Sequence, residues 1–352
     1  MLGRLPPVRS GVMLFPLAEY WWFYAVFTAF VLVLLAIDLG VFHRKDHEIT
    51  IREAAKFSAI WISMAMLCNG LLYYYALSTF SQDQRLLATP GFNPAQAASQ
   101  VALEFLAGYV VEYTLSVDNM FVFVVIFTFF RVPSAYQHRV LFYGILGALI
   151  FRAIFIALGA VLLSYHWVII LFGVLLIYTG IKMLSHSSES MDPSTNPLVR
   201  LTHKVMPVSD RFDGHNFFSR IDGRWHATPL FLALMAIEMS DIVFAIDSVP
   251  AIFALTREPL IVFTSNVFAI LGLRSLYFVL AGAVARFTLL RFGLAGVLMF
   301  IGLKMIWLNQ AWGGHFPIGW SLAIIGTLVG GSIVASVLVE RRKQAALSER
   351  AG

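Results

Sequence analysis

Two stretches of this chain carry the residues that could do chemistry. In the first, Glu112, Ser116, Asp118 and Asn119 lie inside an apolar run from Val101 to Phe130. In the second, Glu238, Asp241, Asp247 and Ser248 lie inside another, from Pro229 to Leu255. The spacing repeats: an acid, an aspartate six residues on, then a small polar residue. Glu112 thus matches Asp241, Asp118 matches Asp247, and Asn119 matches Ser248. A carboxylate buried in a bilayer costs at least about 2.5–3.5 kcal/mol on the most lenient scale. Five acids in two such runs need a compensating partner, and a bound cation would supply it. The donors are hard oxygen (carboxylates, an amide, hydroxyls), which suits Mn²⁺, Mg²⁺ or Ca²⁺, whereas thiolate or imidazole would suit copper or zinc. The nine histidines lie in loops or at span edges. Residue chemistry therefore points to a hard divalent cation or a proton.

Helices must position these groups. At 3.6 residues per turn Glu112, Ser116 and Asn119 share a face, while Asp118 points about a third of a turn away. Asp241, Ser248 and Asp247 repeat that relation. A local break in the helix would let all of them converge, and Pro250, which deprives the Ile246 carbonyl of its helical donor, is the expected place for it.

The whole chain is built for a membrane. Of its 352 residues 59% are hydrophobic and only 13% charged, against about 25% charged in soluble proteins. The expected fold is an all-α polytopic bundle of nine spans, near 20–42, 57–79, 101–130, 140–163, 167–184, 229–255, 260–284, 292–310 and 317–339. The first span is too long for a signal-peptide core and has no small-residue cleavage site after it, so it should remain as a helix. Basic residues collect on one side: Arg44, Lys45, Arg52, Lys56, Arg131, Arg139, Arg200, Lys204, Arg211, Arg220, Arg224, Arg286, Arg291, Arg341, Arg342 and Lys343. The positive-inside rule then puts the N-terminus outside and the C-terminus in the cytoplasm of a cell inner membrane. This distribution accounts for the net charge of +5 without nucleic acid. Cys68 is the single cysteine, which excludes an internal disulfide or a cysteine metal cluster. There is no Gly-x4-Gly-Lys-Ser/Thr phosphate loop and no evident nucleophile, so neither an ATP-driven pump nor an enzyme is expected, and no cofactor is implied.

The two halves resemble each other beyond the acids. Arg152-Ala153-Ile154-Phe155 matches Arg274-Ser275-Leu276-Tyr277, and Gly180-Ile181-Lys182-Met183 follows at the same interval as Gly302-Leu303-Lys304-Met305. The chain divides into a two-span segment (1–100), repeat one (101–184), a cytoplasmic loop (185–228), repeat two (229–310), and a last span with a basic tail (311–352). Each repeat holds three spans, so the second starts from the opposite face: an inverted repeat, as in secondary transporters with a midplane site. Spans one, two and nine would be scaffold or a homodimer surface. In the loop, Phe217 to His226 reads as a hairpin turning at Asp222-Gly223. Val41 to Lys56 is basic and partly amphipathic and should lie against the cytoplasmic headgroups.

Several stretches in order resemble the TerC/Alx-type integral membrane proteins: Asp38-Leu39-Gly40-Val41-Phe42-His43-Arg44-Lys45, Glu112 to Asn119, Phe244 to Ala254, and in the loop Asn196-Pro197, Phe217-Phe218, Asp222-Gly223-Arg224 and Ala227 to Phe231. The resemblance covers about residues 20 to 340. Better-understood members of that family look like manganese exporters of the LysE superfamily. The resemblance thus implies Mn²⁺ as the transported substrate; spacing alone stops at a hard divalent cation.

Plainer readings stand beside these. Asp118 and Asp247 could form structural pairs with Arg152 and Arg274, and Asn119 and Ser248 could be interhelical polar contacts. Glu238, whose counterpart is Tyr109, reads as a proton carrier or accessory ligand. Asp38 reads as part of the site or its gate, because Ala36-Ile37-Asp38 echoes Ala245-Ile246-Asp247; an interfacial acid would look the same. Glu104 reads as solvated near the outer surface, and Lys182 and Lys304 as snorkelling span ends. The expected function is Mn²⁺ export by alternating access, in exchange for protons. Its rival is a non-transporting membrane assembly or metallation factor linked to tellurium and metal stress.

Overall fold

The computed structural model describes residues 13–42, 50–163, 165–185, 197–281, 289–313 and 316–351, without the side chains of 38–42, 118, 185, 203 and 343–351. The described residues are helical apart from short connections and one hairpin. In chain order the helices are α1 (Leu17–Phe42), α2 (Ile51–Phe80), the single turn α3 (Gln84–Leu87), α4 (Pro94–Phe129), α5 (Ser134–Leu162), α6 (His166–Ser185) and α7 (Pro197–Val205). The strands β1 (Phe218–Ile221) and β2 (Arg224–Ala227) follow. Then come α8 (Pro229–Phe253), α9 (Pro259–Leu271), α10 (Leu273–Ala281), α11 (Leu290–Leu303), a π-helical turn (Lys304–Leu308), α12 (Asn309–Ala311) and α13 (Ile318–Ala351).

Among the described residues eight helices are long and apolar enough to cross a membrane, and the pair α9 and α10, bent by 42°, passes the same test only when taken together. The bend sits at Gly272, whose N–H bonds back to the Ala269 carbonyl, so the ladder slips there by one residue. The expected break in span six does not occur. α8 runs through Pro250 to Phe253. A proline this close to the helix end removes a single late bond, and the Ala254 N–H returns to the Pro250 carbonyl to close the last turn.

Local sequence sets the helix starts. Asn93 caps α4 by accepting from the Ala95 and Gln96 N–H groups, with Pro94 at the first helical position. Pro229 opens α8 in the same way, after Thr228 has tied the loop down by donating to the Asn216 and Phe217 carbonyls. The hairpin pairs β1 with β2 antiparallel, and both turn residues, Asp222 and Gly223, have positive φ. Asn or Asp followed by Gly suits such a two-residue turn. Of the stretch Val41 to Lys56, residues 43–49 lie outside the described residues, and α2 begins at Ile51.

The centre is built from α4 and α8, the spans most enclosed by their neighbours, while α13 lies mostly exposed on the rim. α4 lies against α9 and α10, and α5 lies against α8. α6 crosses α11 at very close range. A Cβ placed on Gly180 would stand 2.9 Å from the Ala295 carbonyl oxygen and meet Met299. One placed on Gly173 would stand 3.0 Å from the Gly302 carbonyl, and Gly302 in turn faces Gly173 and Ile177.

Two expectations about charges are corrected. Glu104 is buried, accepting from Gln100 Nε2 at 2.8 Å and from the Thr256 hydroxyl. The connection between α8 and α9 folds over the start of α4 and shields it. That connection is itself anchored: Glu258 accepts from the backbone N–H groups of Leu14, at 2.7 Å, and Phe15, at 3.2 Å. Lys304 is buried at the start of the π-helical turn, within electrostatic reach of Glu104. Lys182, at the matching place on α6, is exposed as a snorkelling residue would be.

Candidate functional site

A buried arginine organises the centre of the bundle. Arg152, on α5, has no measurable exposure. Its Nη1 donates to Glu112 Oε1 on α4, to Ser248 Oγ on α8 at 3.1 Å and to Asn266 Oδ1 on α9 at 3.4 Å; Nη2 donates to Asp241 Oδ1 on α8 at 3.3 Å. Glu112 also accepts from Ser116 Oγ, one turn along α4, at 3.3 Å, and from Asn266 Nδ2 at 3.2 Å. Four helices thus converge on one guanidinium. Two carboxylates face one cation, and Asp241 Oδ2 is buried without a hydrogen-bond partner among the described residues.

Glu238 lies one turn before Asp241 on α8. It is buried, and its Oε2 also lacks a partner among the described residues. Its carboxylate fills the space where a side chain on Gly147 of α5 would go, so the glycine is what admits it. Beside Asp241 opens a cavity of about 20 Å³ whose other polar lining is Arg274, placed there by the bend before α10. The remaining walls are apolar, from Phe123, Leu141, Ile145, Ile237 and Ile270 among others. That volume accommodates a water or a bare ion.

Of the residues singled out by spacing, Glu112, Asp241 and Ser248 come together around Arg152, with Glu238 adjacent. Asn119 is buried on α4. Asp247 stands apart, half-buried and accepting from Thr179 of α6 at 3.3 Å. This follows from α8 remaining helical, which keeps Asp247 a third of a turn from Asp241. The α4 backbone carries Asp118 at the matching position, and Asp38 lies near the end of α1; the side chains of both lie outside the described residues. Among the described residues no three of His, Cys, Asp and Glu are grouped as a ready metal shell.

Sequence reasoning missed Asn266. Its signal was the run Thr264-Ser265-Asn266 in the middle of an otherwise apolar span. Asn266→Leu is expected to destabilise the protein by about 1–3 kcal/mol, because it strips a donor from buried Glu112 and an acceptor from Arg152. Thermal unfolding in detergent, against Asn266→Gln as the milder change, checks this.

The comparisons with known proteins agree with this architecture. Residues 97–344 match the "Integral membrane protein TerC family". The chain belongs to that family. A relative from Myxococcus xanthus, "Uncharacterized membrane protein STKORF319", is 46% identical over 90% of this chain and 92% of its own. "Putative membrane-bound redox modulator Alx" of Escherichia coli K12 is 43% identical over 86% of this chain and 90% of its own. A Rickettsia felis "Uncharacterized membrane protein" is 36% identical over 89% and 96%. No solved structure matches. The TerC match runs from α4 into α13, so it takes in every helix that reaches Arg152.

Proposed function

We propose that this TerC-family protein is an inner-membrane secondary transporter that exports Mn²⁺ by alternating access, with protons moving in exchange. The observation that carries the reading is the pair of buried carboxylate oxygens, Asp241 Oδ2 and Glu238 Oε2, that have no hydrogen-bond partner among the described residues. Leaving such groups unpaired is costly, and a site kept in that condition is poised for a cation. The donors are hard oxygen, as Mn²⁺ requires. Mn²⁺ in particular is inherited from the family's better-understood members.

In this reading Glu112 and Asp241 form the central station, with Glu238 beside them as an accessory group that carries a proton. Asp247, with Thr179, and Asp118 at the matching place on α4 form the stations toward the opposite face. Asn119 is proposed as a further oxygen ligand, and Asp38 as part of the site or its gate. The moving parts are two inverted halves, α4 to α6 and α8 to α11. Support comes from the α6–α11 crossing, where the contact of Gly180 with Ala295 and Met299 recurs as that of Gly302 with Gly173 and Ile177. Each of these residues is separated from its counterpart by the same offset as Arg152 from Arg274. A contact that maps onto itself when the halves are exchanged is what a pseudo-two-fold axis produces. The distribution of basic residues supports an N-terminus outside and a C-terminus in the cytoplasm.

Glu238 is the proton carrier in this scheme, because it is absent from the first half and reaches no basic partner among the described residues. In inside-out vesicles with an imposed pH gradient, wild type is expected to accumulate Mn²⁺ in response to the gradient. Glu238→Gln is expected to move Mn²⁺ without responding to it. Equal responses from the two would remove Glu238 from the coupling. Wild-type vesicles that move no Mn²⁺, while a client membrane protein fails in cells lacking the chain, would favour the assembly-factor reading.

A further inference from the structure

Arg152 sits where the transported cation would be most attracted, and that placement has a mechanistic consequence. Its guanidinium lies between Glu112 and Asp241, the two acids it pairs with among the described residues, and so neutralises part of the site's own charge. Two of its four side-chain partners, Ser248 and Asn266, are neutral acceptors. The guanidinium can therefore turn away from Asp241 and still keep hydrogen bonds. Arginine remains protonated whatever the local conditions, so it cannot leave the site by losing its charge.

We propose that Arg152 is a built-in competitor for the transported ion: it holds Glu112 and Asp241 when the site is empty, yields Asp241 to the incoming divalent cation, and drives release by reclaiming it. With both carboxylates ionised, Glu112, Asp241 and Arg152 sum to minus one, and a divalent ion turns that to plus one; Glu238 and Arg274 beside them carry one charge of each sign. Binding is thereby favoured once and then opposed, which keeps affinity low enough for release. A site of bare carboxylates would hold a hard divalent ion and turn over slowly. This inference rests on the cation-transport reading above and adds that Glu112 and Asp241 need not be protonated to let the ion go. Glu238, which does not touch Arg152, remains the group available to carry a proton.

The test uses the full-length protein in lipid nanodiscs for Mn²⁺ binding and in proteoliposomes for Mn²⁺ flux. Arg152→Gln is expected to bind Mn²⁺ at least about tenfold more tightly than wild type, since a unit charge a few ångströms away has been removed. The same variant is expected to lose at least about tenfold in flux, by the same reasoning. A merely structural arginine would not make tighter binding accompany slower transport. Should Arg152→Gln fail to fold, Arg152→Lys decides. It keeps the charge but cannot fork across both carboxylates, and it should bind Mn²⁺ more tightly than wild type with flux between the two. Equal or weaker binding by a folded Arg152 variant, in a protein whose wild type transports Mn²⁺, overturns the competitor role and leaves the transport reading standing. A wild type that neither binds nor moves Mn²⁺ removes the transport reading, and the competitor role with it.

Discussion

Asp241→Asn is expected to abolish Mn²⁺ flux while leaving the protein close to wild type in stability. Arg152 faces two carboxylates, and Glu112 is the nearer. Neutralising Asp241 leaves a balanced Glu112–Arg152 pair and removes a buried oxygen that has no partner among the described residues. Breaking a buried pair outright costs about 3–5 kcal/mol, so Glu112→Gln should be destabilising on that scale and Asp241→Asn by less than about 1 kcal/mol. Asp247→Asn should likewise be mild, because among the described residues its carboxylate accepts a single hydrogen bond, from Thr179, yet it should abolish flux as a station on the path. Thermal unfolding in detergent, read beside flux in vesicles from the same preparations, separates these cases. If Asp241→Asn and Glu112→Gln lose stability equally, the centre is a structural ion-pair network with no vacancy for a cation.

Gly302→Leu is expected to be the most damaging change away from the charged centre. The space beside Gly302 on α11 is already filled by the α6 backbone at Gly173 and by Ile177. A side chain there must push the helices apart, at a cost of about 1–3 kcal/mol for overpacking. Gly180→Leu should act alike, against the Ala295 carbonyl and Met299. If α6 and α11 move as parts of opposite halves, both variants should also lose flux beyond what their stability loss explains. Gly326→Leu and Gly330→Leu are the controls: a Cβ at either place on α13 meets nothing within 4 Å. Unfolding temperature and flux should both be unchanged in them. A Gly302→Leu protein with wild-type stability and flux would show that this crossing bears neither load nor motion.

How far the sequence alone reached depended on the range of the interaction involved. Eight of the nine spans, the hairpin turn and the shared face of Glu112 and Ser116 follow from periodicity and local backbone preference, and they are in the structure, while the seventh span is bent. The break was expected at Pro250 because proline is the strongest local breaker, but its position so close to the helix end made it harmless. Gly272, two residues before Arg274, is where the backbone yields, and nothing in the local pattern ranks one glycine above another. Glu104 and Lys304 were misjudged because burial of a span end is decided by the connection that folds over it, here the Thr256–Glu258 turn. Arg152 was seen as a partner for acids. That it gathers Glu112 of α4 and Asp241 of α8 is a matter of packing between α4, α5 and α8, which no one-dimensional spacing contains.

The most direct measurement is Mn²⁺ movement by the purified protein reconstituted alone into liposomes, with Mn²⁺ outside, an indicator dye within and an imposed pH gradient. Wild type should carry Mn²⁺ down the combined gradient, and Asp241→Asn, inserted to the same level, should carry none. Liposomes that stay empty of Mn²⁺ with wild-type protein under every gradient would contradict transport and turn attention to an assembly or metallation role.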